Sequence, residues 1–128
     1  MEKEIKVGEG VIRLRATALL PRMYRFKFGR DIVVDMNRLR KAYAKAEKAQ
    51  RPDATEEEKQ DAMLDVTDLL LFENVAYIMA KSADKSIPDS PDEWLDSIDG
   101  VFSIYEVMPE ILELWGMSQQ TTSTPKKK

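Results

Sequence analysis

Ala62 to Ala80, read AMLDVTDLLLFENVAYIMA, is the only stretch of the chain apolar enough to be surrounded by the rest of it. Ala62, Val66, Leu69, Phe72, Ala76 and Met79 recur at steps of three and four, which predicts one helical face, with Met63, Leu70 and Tyr77 on a neighbouring one. From Leu69 onward only Glu73 and Asn74 interrupt the apolar surface. A helix apolar on most sides must be covered on most sides, by other segments of this chain or by copies of it. The run Leu69-Leu70-Leu71-Phe72 falls far short of the roughly 20 apolar residues that a membrane span requires. The stretch is therefore core, and the remaining segments are expected to pack around it.

The chain has 128 residues, enough for one domain with a moderate core. It contains neither cysteine nor histidine. That removes the disulfide framework, the thiol nucleophile and the commonest general base and metal ligand, and it argues against an enzyme. No charged segment followed by an apolar export signal opens the sequence, so the expected location is the cytoplasm, with no membrane partner. The net charge of −3 hides a strong polarity: residues 1–50 carry 13 Lys/Arg against 6 Asp/Glu, and residues 51–125 carry 4 against 17. Oppositely charged halves can fold over one another or meet head to tail in a neighbouring copy.

Glu4-Ile5-Lys6-Val7 and Val11-Ile12-Arg13-Leu14-Arg15 alternate apolar and charged residues around Gly8-Glu9-Gly10, the pattern of a hairpin with one covered face. Thr17 is the expected cap of a first helix running to Phe28, with Pro21 near its start, Gly29 at its end, and Leu20, Met23, Tyr24 and Phe28 inward. A second helix could begin at Asp31, but the β-branched run Ile32-Val33-Val34 favours a start at Asp35. Thr55 followed by Glu56, Glu57 and Glu58 makes a capping box, from which a long central helix is expected to reach about Ser82. Asp84 to Asp92 reads as an irregular connection. Ser90 or Pro91 then opens a short helix ended by Gly100, and Val101 to Trp115 is helical, with Pro109 expected to kink or divide it. The fold class is α+β, mainly α: an N-terminal β-hairpin followed by four or five helices. Residues 1–116 form one domain and 117–128 a flexible, polar, lysine-rich tail.

Asp61, Asp65 and Asp68 share a helical face and were weighed as a metal site, yet the same three residues are what the solvated side of a buried helix shows; no metal and no cofactor is expected. Asp84 to Asp96 lacks the spacing of a calcium loop. The basic stretch Arg13 to Arg30, with Tyr24, Phe26 and Phe28 interleaved, has the composition of a single-strand nucleic-acid binder. A pI near 5.1 and the acidic half oppose that, so its aromatics are read as core, its arginines as partners of acidic residues, and nucleic acid as the alternative partner. Trp94 and Trp115 are core or interface anchors.

Three segments, ATALLPRMYRFKFGRD (Ala16 to Asp31), FENVAYIMAK (Phe72 to Lys81) and SIYEVMPEILELWG with the Thr/Ser/Lys tail behind it (Ser103 to Lys128), resemble the tail assembly chaperones of long-tailed bacteriophages and their prophages. The resemblance implies a small, mostly helical, non-catalytic protein that self-associates. It also implies binding to the long tape measure protein, kept soluble until tail tube subunits polymerise around it. Such chaperones are often made in a second, longer form by ribosomal frameshifting, and the adenine-rich codons of Lys126-Lys127-Lys128 suit a slippery run. On this reading the client lies against Leu71, Tyr77, Met108, Ile111 and Trp115. Copies meet through the hairpin edge, Ile12 and Leu14, and through Arg22, Arg25 and Arg30 of the basic helix.

Overall fold

The computed structural model describes the backbone of residues 1–122 and the side chains of residues 1–116. Strands β1 (Glu2–Val7) and β2 (Gly10–Arg15) form a two-stranded antiparallel sheet. Six helices follow among the described residues: α1 (Leu20–Phe28), α2 (Ile32–Ala49), α3 (Glu56–Asp61), α4 (Val66–Ala83), α5 (Pro91–Ser97) and α6 (Ile104–Thr122). The α+β class with its N-terminal hairpin is as expected, and the helix count exceeds expectation by one. The polar tail from Met117 onward begins within the last turns of α6, and its residues 123–128, with the tri-lysine, lie outside the described residues.

The extra helix arises where one long helix was expected. The Thr55 box forms, with the Glu58 N–H donating to Thr55 Oγ1 at 3.0 Å and the Thr55 N–H to Glu58 Oε1 at 2.9 Å. It starts only a short helix, because a second box restarts the chain at Asp65. There the Asp68 N–H donates to Asp65 Oδ1 at 2.7 Å and the Asp65 N–H to Asp68 Oδ2 at 3.2 Å. Two N-terminal caps in one apolar segment make two helices.

Local chemistry also decides the other boundaries. Asp31 Oδ1 accepts the Val33 N–H at 2.9 Å, and Ile32 is fully buried, so cap and burial together outweigh the cost of the β-branched run and α2 starts at Ile32. Thr17 does not cap α1; its Oγ1 accepts the Leu19 N–H before the helix begins. Gly29 ends α1 at φ 67°, its N–H bonded to the Arg25 carbonyl at 2.7 Å. Ser90 caps α5, which stops at Ser97, ahead of Gly100. Helix α6 passes through Pro109 undivided. That ring is exposed, so the helical hydrogen bond it removes lies on the solvent side.

Helix α4 is the axis of the molecule: β2, α1, α2, α5 and α6 all pack on it, while β1 lies by α6. Its covered side is Leu71, Phe72, Val75, Ala76, Ile78 and Met79, met by Leu14 of β2, Leu20 and Tyr24 of α1, Met36 and Leu39 of α2, and Val107, Met108 and Ile111 of α6. A chain of aromatic rings joins the outer elements across it. Tyr24 to Phe28 (5.0 Å between centroids), Phe28 to Tyr77 (6.4 Å), Tyr77 to Trp94 (5.9 Å), Trp94 to Phe102 (5.5 Å) and Phe102 to Phe72 (5.2 Å) tie α1, α4, α5 and the α5–α6 connection together.

The hairpin turn is held from outside. Gly8 has φ 60° with no positive φ at Glu9, the pattern of a type II′ turn. A Cβ at Gly8 would run into the Asp99 carbonyl, so the turn rests directly on the connection that follows α5. At the other end Lys3 forms ion pairs with Glu110 and Glu113 of α6.

Candidate interaction surfaces

The residues first assigned to client binding are largely inside the chain. Leu71, Tyr77, Met108 and Ile111 are all buried, and only Trp115 is half-buried, packed against the core. They satisfy one another within a single copy, so they offer no free surface. Tyr77 also has a local task, since its hydroxyl donates to the Pro88 carbonyl at 2.8 Å and holds the α4–α5 connection.

The bare apolar surface of α4 is its first half. Val66 is 83% exposed and Leu70 52%, with Leu69 beside them and Met63 exposed in the preceding turn. Val66 and Leu69 were expected on one face with Phe72, Ala76 and Met79; those three are buried, while Val66 and Leu69 lie exposed at the start of the helix. One feature of the sequence pointed to this: Val66, Leu70, Glu73 and Asn74 fall on one side of a helix, and a side carrying Glu73 and Asn74 is the wet one. Beside this face a groove of about 570 Å³ runs between α2 and the α3–α4 connection, lined by Val34, Lys41, Lys45, Asp61, Met63 and Leu64 among others.

The three aspartates do not gather for a cation. Among the described residues no cluster of three metal-type side chains forms. Asp65 and Asp68 are occupied by the helix cap and by Arg38, whose Nε donates to Asp68 Oδ1 at 2.7 Å and whose Nη2 lies 3.3 Å from Asp65 Oδ2. Burial opposes charge on Asp68, but the Arg38 hydrogen bond and the Asp65 N–H outweigh it and hold the carboxyl below the usual range.

The basic helix divides into used and unused charge. Arg30 is spent within the chain: its Nε and Nη2 grip Asp35 at 2.8 Å each. Asp35 is only 1% exposed, and it also accepts from the Tyr24 hydroxyl at 2.7 Å. Burial and the neighbouring carboxylate push the Tyr24 hydroxyl far up, so it remains a donor at any ordinary pH. Arg30 is thus not free for a neighbouring copy. Arg22 and Arg25 are exposed and form no ion pair among the described residues. Phe26, on the next turn from Arg22, is 87% exposed, whereas Tyr24 and Phe28 pack inward as expected. Of the two hairpin residues assigned to self-association, Leu14 is fully buried and offers no contact, while Ile12 is half-buried; what the hairpin leaves open is its backbone edge.

No helix among the described residues is long and apolar enough to cross a membrane. Compared with known proteins, the chain matches no family model, no curated protein and no solved structure.

Proposed function

We propose that this chain is a non-catalytic, self-associating tail assembly chaperone of a long-tailed phage, which holds the tape measure protein soluble in the host cytoplasm while tail tube subunits assemble around it. The observation that carries this reading is the bare first half of α4: the helix that forms the core also presents Val66, Leu69 and Leu70 to water. A monomer with no client gains nothing from that exposure, whereas a holdase needs an apolar face beside charge that keeps the complex dissolved. The resemblance of Ala16 to Asp31, Phe72 to Lys81 and Ser103 to Gly116 to that family points the same way.

The reading expects a long tape measure gene near this one, and the test is co-expression with its product. Wild-type chain raises its soluble yield, and Val66→Glu with Leu70→Gln removes most of that gain, weakening the complex about tenfold for the apolar area lost. Both positions are exposed, so the melting temperature moves little. No gain with wild-type chain defeats the proposal.

A second reading, nucleic-acid binding through Arg13 to Arg30, has Phe26 in its favour, a bare ring beside the unpaired Arg22 and Arg25. A low-salt filter-binding titration with single-stranded DNA and RNA separates the two. The chaperone reading expects no retention. Micromolar retention that salt weakens, and that Phe26→Ala cuts about tenfold, replaces it with the second.

A further inference from the structure

A sheet of two strands has two open edges, and in this chain they are not alike. Among the described residues neither strand pairs with a third, and no backbone group outside the hairpin bonds to the positions between Glu2 and Val7. Strand β2 runs beside α4, and its Arg13 donates from Nη2 to the Ala83 carbonyl at 3.4 Å, at the C-terminal end of that helix. Its exposed face carries Val11, Arg13 and Arg15 and no acidic residue, so a second β2 laid against it meets no charge of opposite sign within the strand. Strand β1 has no such obstacle.

The pattern of β1 is self-complementary. Val7 faces Gly10 across the two-residue turn, and Ile5 and Lys3 face Ile12 and Leu14. Counted out from that turn, the alternation of an antiparallel ladder directs the N–H and C=O groups of Lys6, Glu4 and Glu2 away from β2. These same residues carry the exposed side chains of the strand, while Ile5 and Val7 are buried on the other face. Two β1 strands laid antiparallel with Ile5 opposite Ile5 place Glu4 of each copy opposite Lys6 of the other, and no like charges meet on that face. Shifting the register by one pair sets Glu4 against Glu4. A slip by a single residue puts Ile5 on the wet face.

We propose that the outer edge of β1 pairs with the β1 edge of a second copy in this register, giving a continuous four-stranded sheet across a two-fold axis. The inference rests on the self-association in the proposed function and names its surface. It also explains how a hairpin too small to be stable alone is completed, and why α1 need not supply the contact.

Charge exchange on the exposed face tests it. Lys6→Glu sets Glu4 against the new glutamate twice, and Glu4→Lys sets the new lysine against Lys6 twice. Each weakens dimerisation at low salt by about tenfold or more, and the double exchange Glu4→Lys/Lys6→Glu recovers most of it, as read by analytical ultracentrifugation over a concentration series. Arg25→Glu, on α1 and in no ion pair among the described residues, leaves the dimer in place. Lys6 lies opposite the neutral Val11 in its own hairpin, so Lys6→Glu keeps the fold; Glu4 lies opposite Arg13, so Glu4→Lys also costs hairpin stability, and a melting curve of each variant separates that loss from the loss of the dimer. A wild-type chain that associates but ignores both single exchanges overturns the edge while leaving self-association standing. A wild-type chain that is monomeric at every concentration overturns both.

Discussion

Phe72→Ala costs about 4 kcal/mol, near the middle of the range for removing a buried phenyl ring. Phe72 lies in the core of α4 and stacks on Phe102 with the ring planes 22° apart, and Phe102 in turn meets the edge of Trp94. The substitution therefore opens a cavity and also removes the floor beneath the α5–α6 connection, where no other aromatic ring replaces it. A urea titration shows the loss as a lower midpoint with little change in slope. Trp94 emission before the transition moves to longer wavelength, because its ring loses the support of Phe102. Emission and stability unchanged from wild type would mean that the aromatic chain does not hold the molecule together.

Asp35→Ala is the other large loss, about 3 kcal/mol. The substitution leaves the Tyr24 hydroxyl buried without an acceptor and Arg30 without its carboxylate; half-exposed Arg30 recovers water, which keeps the loss toward the lower end of its range. Tyr24→Phe, which removes one hydrogen bond to a carboxylate that Arg30 still holds, costs about 2 kcal/mol. The pH dependence follows from the direction of the shift. Burial opposes the Asp35 charge, but the hydrogen bonds from Arg30 and Tyr24 outweigh it, so the folded carboxyl titrates below its unfolded counterpart. Its contribution is then fully present above about pH 4 and fades as acid protonates the folded form. The stability gap between wild type and Asp35→Ala is widest at neutral pH and narrows in strong acid. A gap that holds constant through that range would show the carboxylate charge to be irrelevant.

Much of this fold is written in short-range pattern. The alternation on both sides of Gly8-Glu9-Gly10 gave the hairpin, Gly29 and Ser90 marked helix ends, and the apolar stretch from Leu71 to Ala80 is the covered part of α4. The misplacements share one cause, the competition between caps and propensity. Asp65 and Asp68 looked like a row of carboxylates along one helix because a reciprocal cap and a row at the same spacing contain the same letters. Asp31 looked weaker than the β-branched run behind it because the burial of Ile32 is a tertiary gain. The surface was harder to foresee than the core. Leu71, Tyr77, Met108 and Ile111 were picked as the client surface for their hydrophobicity within the resembling segments and the central helix, and hydrophobicity does not separate a residue covered by its own chain from one awaiting a partner. Arg30 and Arg25 are also alike in sequence; only the fold brings Asp35 and Tyr24 to the first and leaves the second in water.

The hairpin is synthesised well ahead of the groups that seat β1, the Glu110 and Glu113 side chains of α6 and the carbonyl of Asp99 under Gly8. During translation β2 can be covered once α4 has emerged, but β1 stays uncovered until α6 has been made, and its seating must wait for a very long-range closure. On a polysome, where several nascent copies sit close together, that interval gives a neighbouring hairpin its first opportunity to meet this one before either polypeptide is finished.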